Sequence, residues 1–192
     1  MDAVWIIVGV AGLVALWAIV TFNRLVRLRN ECDQGFSGIE VQLKRRADLV
    51  PNLVETVKGY AAHESQTFER VTEARTRAVS ATGIDAIAGA DGMMRQALGG
   101  IFGLAEAYPD LKADANFRQL QEELVATEDR IAAARRFYNA VVQRFNSRQQ
   151  SFPDSLVAGS FGFSPRPFYR IEDDGERGVV AVGFDAGGSG GR

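Results

Sequence analysis

Residues 3 to 22 carry no charge, and few structures accommodate an uncharged apolar run of that length. As a helix rising about 1.5 Å per residue, the run from Ala3 to Phe22 reaches about 30 Å, the thickness of a bilayer's hydrocarbon core. Its eleven Val, Ile, Leu and Phe side chains favour insertion by about 0.3 to 0.6 kcal/mol each, roughly 3 to 7 kcal/mol together. A cleaved signal peptide fits less well. It needs a basic start, a shorter apolar core and a small-residue cleavage site, whereas this chain begins Met1-Asp2 and runs from Phe22 directly into Asn23-Arg24. Cys32 lies beyond the first arginines, so the lipoprotein pattern is absent as well. The expectation is a retained, single-pass transmembrane anchor over residues 1–24, with membrane lipids as the partners of residues 3–22.

The flanks of this run set its expected orientation. Arg24, Arg27 and Arg29 follow it closely and Lys44-Arg45-Arg46 come later, while Asp2 is the one charged side chain before it. The positive-inside bias puts the C-terminal domain in the cytoplasm and the short N-terminus outside, at the inner (cell) membrane. A lone cysteine cannot form an internal disulfide, which is compatible with a reducing compartment. The net charge is −2. Basic and acidic residues interleave through most of the soluble chain, so it lacks the basic stripe of a nucleic-acid binder, and none is expected as a partner.

From Leu25 onward apolar residues recur every three or four positions. Leu25, Leu28, Cys32, Gly35, Ile39, Leu43 and Val50 begin the stripe; Leu53, Val57, Tyr60, Phe68 and Val71 continue it. That period predicts one long helix with a bundle or coiled-coil seam. Pro51 interrupts the pattern, because it removes a backbone donor and crowds the preceding turn; a kink is expected over Asp48 to Pro51, where Asp48 can cap a second segment. The stretch from Thr21 to Asn30 contains neither Gly nor Pro, so the anchor is expected to run into the bundle as one helix. Ala81-Thr82-Gly83 reads as a helix end, and Asp85 to Ala107 as a shorter helix bearing Ile87, Met93, Met94, Leu98, Ile101, Phe102 and Leu104. Tyr108-Pro109-Asp110 breaks the chain. Phe117, Leu120, Leu124, Thr127, Ile131, Ala134, Tyr138, Val141 and Phe145 then mark a long helix from Asn116 to Ser151. Phe152-Pro153-Asp154 ends it, ahead of a short helix over Ser155 to Ser160. An irregular aromatic stretch to Tyr169 and an acidic, Gly-rich tail over 171–192 follow, the tail read as disordered with a short extended segment at Val179 to Phe184. The fold class is therefore all-α. A transmembrane helix precedes an antiparallel bundle over 25–170, of three helices, or four if Pro51 splits the first.

Nothing in the sequence assembles a catalytic, cofactor or metal site, and no cofactor is expected. His63 is the one histidine, and position 60 is Tyr, so the Glu-x-x-His pairs of a di-iron bundle are missing. One His and one Cys cannot make a zinc site. Cys32 falls on the apolar stripe, which points to packing. No G-x-S-x-G or phosphate-loop spacing occurs. The charges suggest helix support instead: Glu40 and Lys44 stand at i, i+4, and Glu122-Glu123 or Arg135-Arg136 are candidates to pair with the first helix.

Three blocks of sequence resemble the LemA proteins. The first is Phe22-Asn23-Arg24-Leu25-Val26-Arg27-Leu28-Arg29-Asn30 together with the long stretch from Ile39 through Lys44-Arg45-Arg46-Ala47-Asp48-Leu49-Val50-Pro51-Asn52-Leu53 to His63-Glu64. The second is Ala107-Tyr108-Pro109-Asp110-Leu111 to Phe117. The third joins Glu128-Asp129-Arg130-Ile131-Ala132 to Ala134-Arg135-Arg136-Phe137-Tyr138-Asn139, then Phe152-Pro153 and Phe161-Gly162-Phe163. The resemblance implies an N-terminal transmembrane helix, a cytoplasmic antiparallel bundle and no catalytic residues. The family includes a protein of magnetosome membranes, which implies a part in membrane organisation. Gly35-Phe36-Ser37 stands where the family often has Ala-Trp-Ser, and a glycine there loosens a helix by up to about 1 kcal/mol.

The expected function is a non-enzymatic scaffold or assembly protein at the cytoplasmic face, partnered by its own copies or by other membrane proteins. Two alternatives differ in kind. In one, the juxtamembrane arginines and Phe161 to Tyr169 bind or remodel lipid; in the other, the chain is accessory to a membrane enzyme such as a protease.

Overall fold

The computed structural model describes residues 1–170, so the expectations for the tail, including Val179 to Phe184, lie outside the described residues. Six helices are present: α1 (Asp2–Lys58), α2 (Ser65–Ser80), α3 (Ile84–Ala105), α4 (Pro109–Ala113), α5 (Ala115–Gln150) and α6 (Asp154–Ser160). No strand occurs among the described residues.

Helix α1 has 57 residues, about 85 Å at the usual rise. Its first part is apolar on every side, long enough to cross a membrane, and none of it is buried within the protein. From Thr21 the same helix turns amphipathic, burying Thr21, Leu25, Cys32, Gly35, Ile39, Arg46, Ala47, Val50, Leu53, Val54 and Val57. The anchor and the bundle therefore share one backbone.

The helix is not interrupted at Pro51, and Asp48 caps nothing. A proline at 51 has no N–H for the carbonyl of Ala47, four residues back. Arg75 of α2 replaces it, with Nε donating to the Ala47 carbonyl oxygen at 3.0 Å. The interruption falls instead at Gly59 to Glu64, where the apolar pattern predicted continuous helix. The chain reverses there with Ala61 buried, and α2 folds back along α1 so that Phe68, Val71 and Ala74 enter the core. Lys58 lies near Phe68, and Ala47 near Arg75, as antiparallel neighbours must.

Gly83 supplies the positive φ of +84° needed for the turn into α3. Helix α4, which Tyr108-Pro109-Asp110 suggested only as a break, has Pro109 in its first turn. Asp114 caps α5, accepting the Phe117 N–H at 2.9 Å and the Tyr60 hydroxyl at 3.0 Å. Helix α5 runs antiparallel to α1 over most of its length: Tyr60 meets Asp114, Arg46 meets Glu128, and Glu31 meets Arg144. Four long helices, α1, α2, α3 and α5, thus form the bundle.

Two apolar cores lie in series along α1. The one further from the anchor joins Val50, Leu53 and Val57 with Phe68, Met94, Ile101, Leu111, Phe117 and Leu124. The nearer one joins Leu25, Cys32 and Ile39 with Ile87, Tyr138, Val141, Phe145, Val157 and Tyr169.

Candidate functional site

Between these two cores sits a charged cluster, built from residues that occupy seam positions of their helices. Arg46 falls between Leu43 and Val50 on the α1 stripe, and Asp91 between Ile87 and Met94 on α3. Both are almost wholly buried, at 2% and 1% exposure. The Arg46 guanidinium pairs through Nη2 with the Asp91 carboxylate and through Nη1 with Glu128 of α5, the latter at 2.8 Å. The second Asp91 oxygen accepts the Tyr169 hydroxyl at 3.1 Å, and the Arg135 guanidinium lies over the Tyr169 ring at 5.5 Å. Three helices and the C-terminal segment therefore converge on one buried ion pair. Burial, reinforced by that carboxylate, pushes the Tyr169 phenol far above its ordinary pKa, so it stays a neutral donor.

Tyr169 is delivered by an extended strap, residues 164–170, laid along α5. Asn146 donates from Nδ2 to the Arg166 carbonyl and accepts the Arg166 N–H through Oδ1, both at 2.8 Å. Asn139 does the same for Tyr169, at 3.0 and 2.9 Å. The spacing explains the fit. Seven helical residues advance about 10 Å, and three extended residues advance about the same. Between the clamps the Tyr138 hydroxyl donates to the Pro167 carbonyl at 2.9 Å. Burial raises the Tyr138 phenol to about 12.

This arrangement holds parts together. A buried ion pair contributes little net stability, because desolvation offsets most of the attraction, but breaking it strands a charge. What it can fix is register: α1 cannot rotate or slide against α3 and α5 without exposing Arg46 to apolar neighbours. The void beside the pair, lined by Leu43, Arg46, Ala78, Ile87, Ala90, Asp91 and Met94, measures about 10 Å³, at the limit for one water. No substrate enters there.

The residues singled out for chemistry lie apart. His63 stands exposed in the loop between α1 and α2, off any helix. Cys32 is buried in the nearer core, and burial raises its thiol pKa, which suits packing. Among the described residues no group of three or more His, Cys, Asp or Glu could hold a metal ion. The interhelical pairing expected of Glu122-Glu123 is made by Glu128 instead, and Arg135 meets an aromatic ring. The aromatic stretch divides. Phe161 is exposed, Phe163 and Phe168 pack against the nearer core, and Tyr169 is buried.

The cluster itself went unread, although a signal existed. The apolar stripe steps by seven from Leu43 to Val50 and from Ile87 to Met94, and in each gap a charged residue holds the seam position.

The LemA family model matches residues 35–184. Magnetosome protein MamQ 2 of Paramagnetospirillum magneticum is 26% identical over an alignment of 202 positions, covering 91% of this chain and 74% of the relative. Magnetosome protein MamQ of Magnetospirillum gryphiswaldense is 25% identical, covering 90% and 74%. Protein LemA of Metamycoplasma hominis is 30% identical, covering 71% and 63%.

Proposed function

This chain belongs to the LemA family, and on that premise we propose that it is a non-enzymatic, membrane-anchored helical scaffold whose bundle works at the cytoplasmic face. The observation that carries this reading is the continuity of α1, which passes from the apolar span into the bundle core without a break. A flexible linker would let the domain wander. Here Thr21 is already buried and α5 packs back along α1, so the bundle is held at a set angle and stands about 50 Å beyond residue 22. A rigid post of that kind suits the presentation of a surface to copies of itself or to other membrane proteins. Two of the relatives carry the name magnetosome protein, which is compatible with such a role. Arg24, Arg27 and Arg29 support the cytoplasmic placement.

Chemical crosslinking in native membranes, followed by affinity purification and imaging of the intact particle, tests it. The expected result is a homo-oligomer or a stoichiometric complex. A chain recovered only as a monomer with nothing bound overturns the reading.

A further inference from the structure

Helix α6 closes the end of the bundle nearest the anchor. Helix α5 arrives there antiparallel to α1, and the strap leaves in the opposite direction, so α6 is the turning point of the chain. Its inner side is fully engaged. Val157 and Ala158 are buried in the nearer core, against which Trp17, Ala18 and Phe22 of the apolar span also pack. Asp154 is 5% exposed; it pairs with Arg148 and accepts a hydrogen bond from the Thr21 hydroxyl at 3.5 Å. Phe22 holds Phe161 and Phe163 with ring centroids at 4.8 and 5.8 Å.

The outer side is apolar and uncovered. Phe152, just before α6, is 82% exposed, Leu156 is 59% exposed and Phe161 is 62% exposed. Apolar side chains grouped this way on a water-soluble surface mark a contact site. Here their position says what covers them. Phe161 packs on Phe22, and Phe152 and Leu156 flank Asp154, which is bonded to Thr21, at the end of the segment that fits the bilayer; Trp17 and Ala18 lie about 6 to 7 Å deeper along the same axis. A bilayer thick enough to cover the span reaches the level of α6.

We propose that α6 is an interfacial foot: Phe152, Leu156 and Phe161 enter the lipid beside the anchor, at the boundary between head groups and acyl chains. An amphipathic helix lying in the interface buries its apolar side about 5 to 10 Å, which matches the depth that its contacts with α1 impose. The flanking charge agrees. Arg24, Arg144 and Arg148 line a cleft on the same end of the bundle, with Leu28, Gln143, Ser147 and Ser151, and Arg24 and Arg27 line another beside Val20 and Asn23. Guanidinium groups at this height meet the phosphates of anionic lipid. The one buried acid of α6 is already neutralised by Arg148, so lowering the foot into the interface strands no charge. With a second contact beside the anchor, the tilt of the post against the membrane is restrained. The proposal rests on residues 3–22 spanning the membrane, and it holds on whichever side the bundle lies.

The test uses the full chain in vesicles of phosphatidylcholine and phosphatidylglycerol, with a nitroxide label at one introduced cysteine. Buried Cys32 contributes little labelling, and the unsubstituted chain gives that background. Phe152→Cys and Leu156→Cys replace exposed side chains and leave the core intact. Leu13→Cys reports the span, and Gln121→Cys, far along α5, reports bulk water. The foot predicts that labels at 152 and 156 are relaxed by oxygen and shielded from a water-soluble nickel chelate, with an oxygen-to-nickel ratio several-fold above that at 121. If 156 matches 121 while 13 reads as embedded, the foot is wrong and the anchor stands. If 13 also matches 121, the anchor reading fails and takes the foot with it.

Discussion

The first twenty residues of α1 and the stretch from Leu25 to Val57 are parts of one helix that solve opposite problems. In the first, apolar side chains point in every direction, and up to Leu16 the protein leaves them all exposed. In the second, every third or fourth residue is buried, and one buried seam position is charged, at Arg46. Lipid has no preferred face, so the anchor needs only length and the absence of charge. A bundle must choose one rotation among many, and Arg46, held by Asp91 and Glu128, makes that choice costly to change. Tolerance to substitution should therefore be inverted between the two parts.

The largest expected effect is in the bundle. Asp91→Ala leaves the buried Arg46 charge with the partly exposed Glu128 as its one carboxylate partner, and losing one member of such a buried pair costs about 3 to 5 kcal/mol. Chemical denaturation of the detergent-solubilised protein should show it, while membrane insertion stays unchanged. A cost below about 1 kcal/mol would mean that the two parts of α1 tolerate substitution alike. Next comes Leu13→Arg, harmful only in the anchor: about 3 to 4 kcal/mol on the insertion scale. Carbonate extraction should release more of this variant, with the melting of the bundle unaltered.

Arg75→Ala is smaller. It leaves the Ala47 carbonyl without a donor, for about 1 kcal/mol, and the loss should shrink in a Pro51→Ala background, where residue 51 donates again. A double-mutant cycle by thermal melting reads that coupling. Gly35→Ala should act in the other direction. A Cβ at Gly35 would rest 3.4 Å from the Phe137 ring and from Tyr138 Cα, an ordinary contact, so stability should rise by up to about 1 kcal/mol. Near neutral pH the phenols contribute no pH dependence. The Tyr138 pKa is raised by burial from 10.0 to about 12, so the folded state holds that proton more tightly than the unfolded chain. Its contribution is complete below about 10 and is lost as pH rises towards about 12, with Tyr169 acting in the same direction. Melting temperatures across that window should fall, and fall less in Tyr138→Phe.

Much of the fold was legible because its signals are local. The uncharged span, the period from Phe117 to Phe145 and the ends at Gly83 and Pro153 each depend on neighbours in sequence. Two readings went astray for the opposite reason. Pro51 breaks a helix only if the carbonyl it orphans stays unpaired, and the donor that repairs it sits 24 residues further on. The reversal at Gly59 to Glu64 lies inside an unbroken apolar pattern, since Ala61 and Phe68 enter the same core from two directions. Arg46 and Asp91 could not be matched as a buried pair, because 45 positions separate them and each sits among polar or small neighbours.

By itself, then, the sequence determined that this chain has a membrane-length apolar helix, an all-α domain and LemA character, because hydrophobic period and local motif are properties of short stretches. Only the tertiary structure decided which charges are buried, which proline is tolerated, and that the aromatic segment splits between a core Tyr169 and an exposed Phe161. Those outcomes depend on which side chains from distant positions arrive at the same place. No local pattern contains that information.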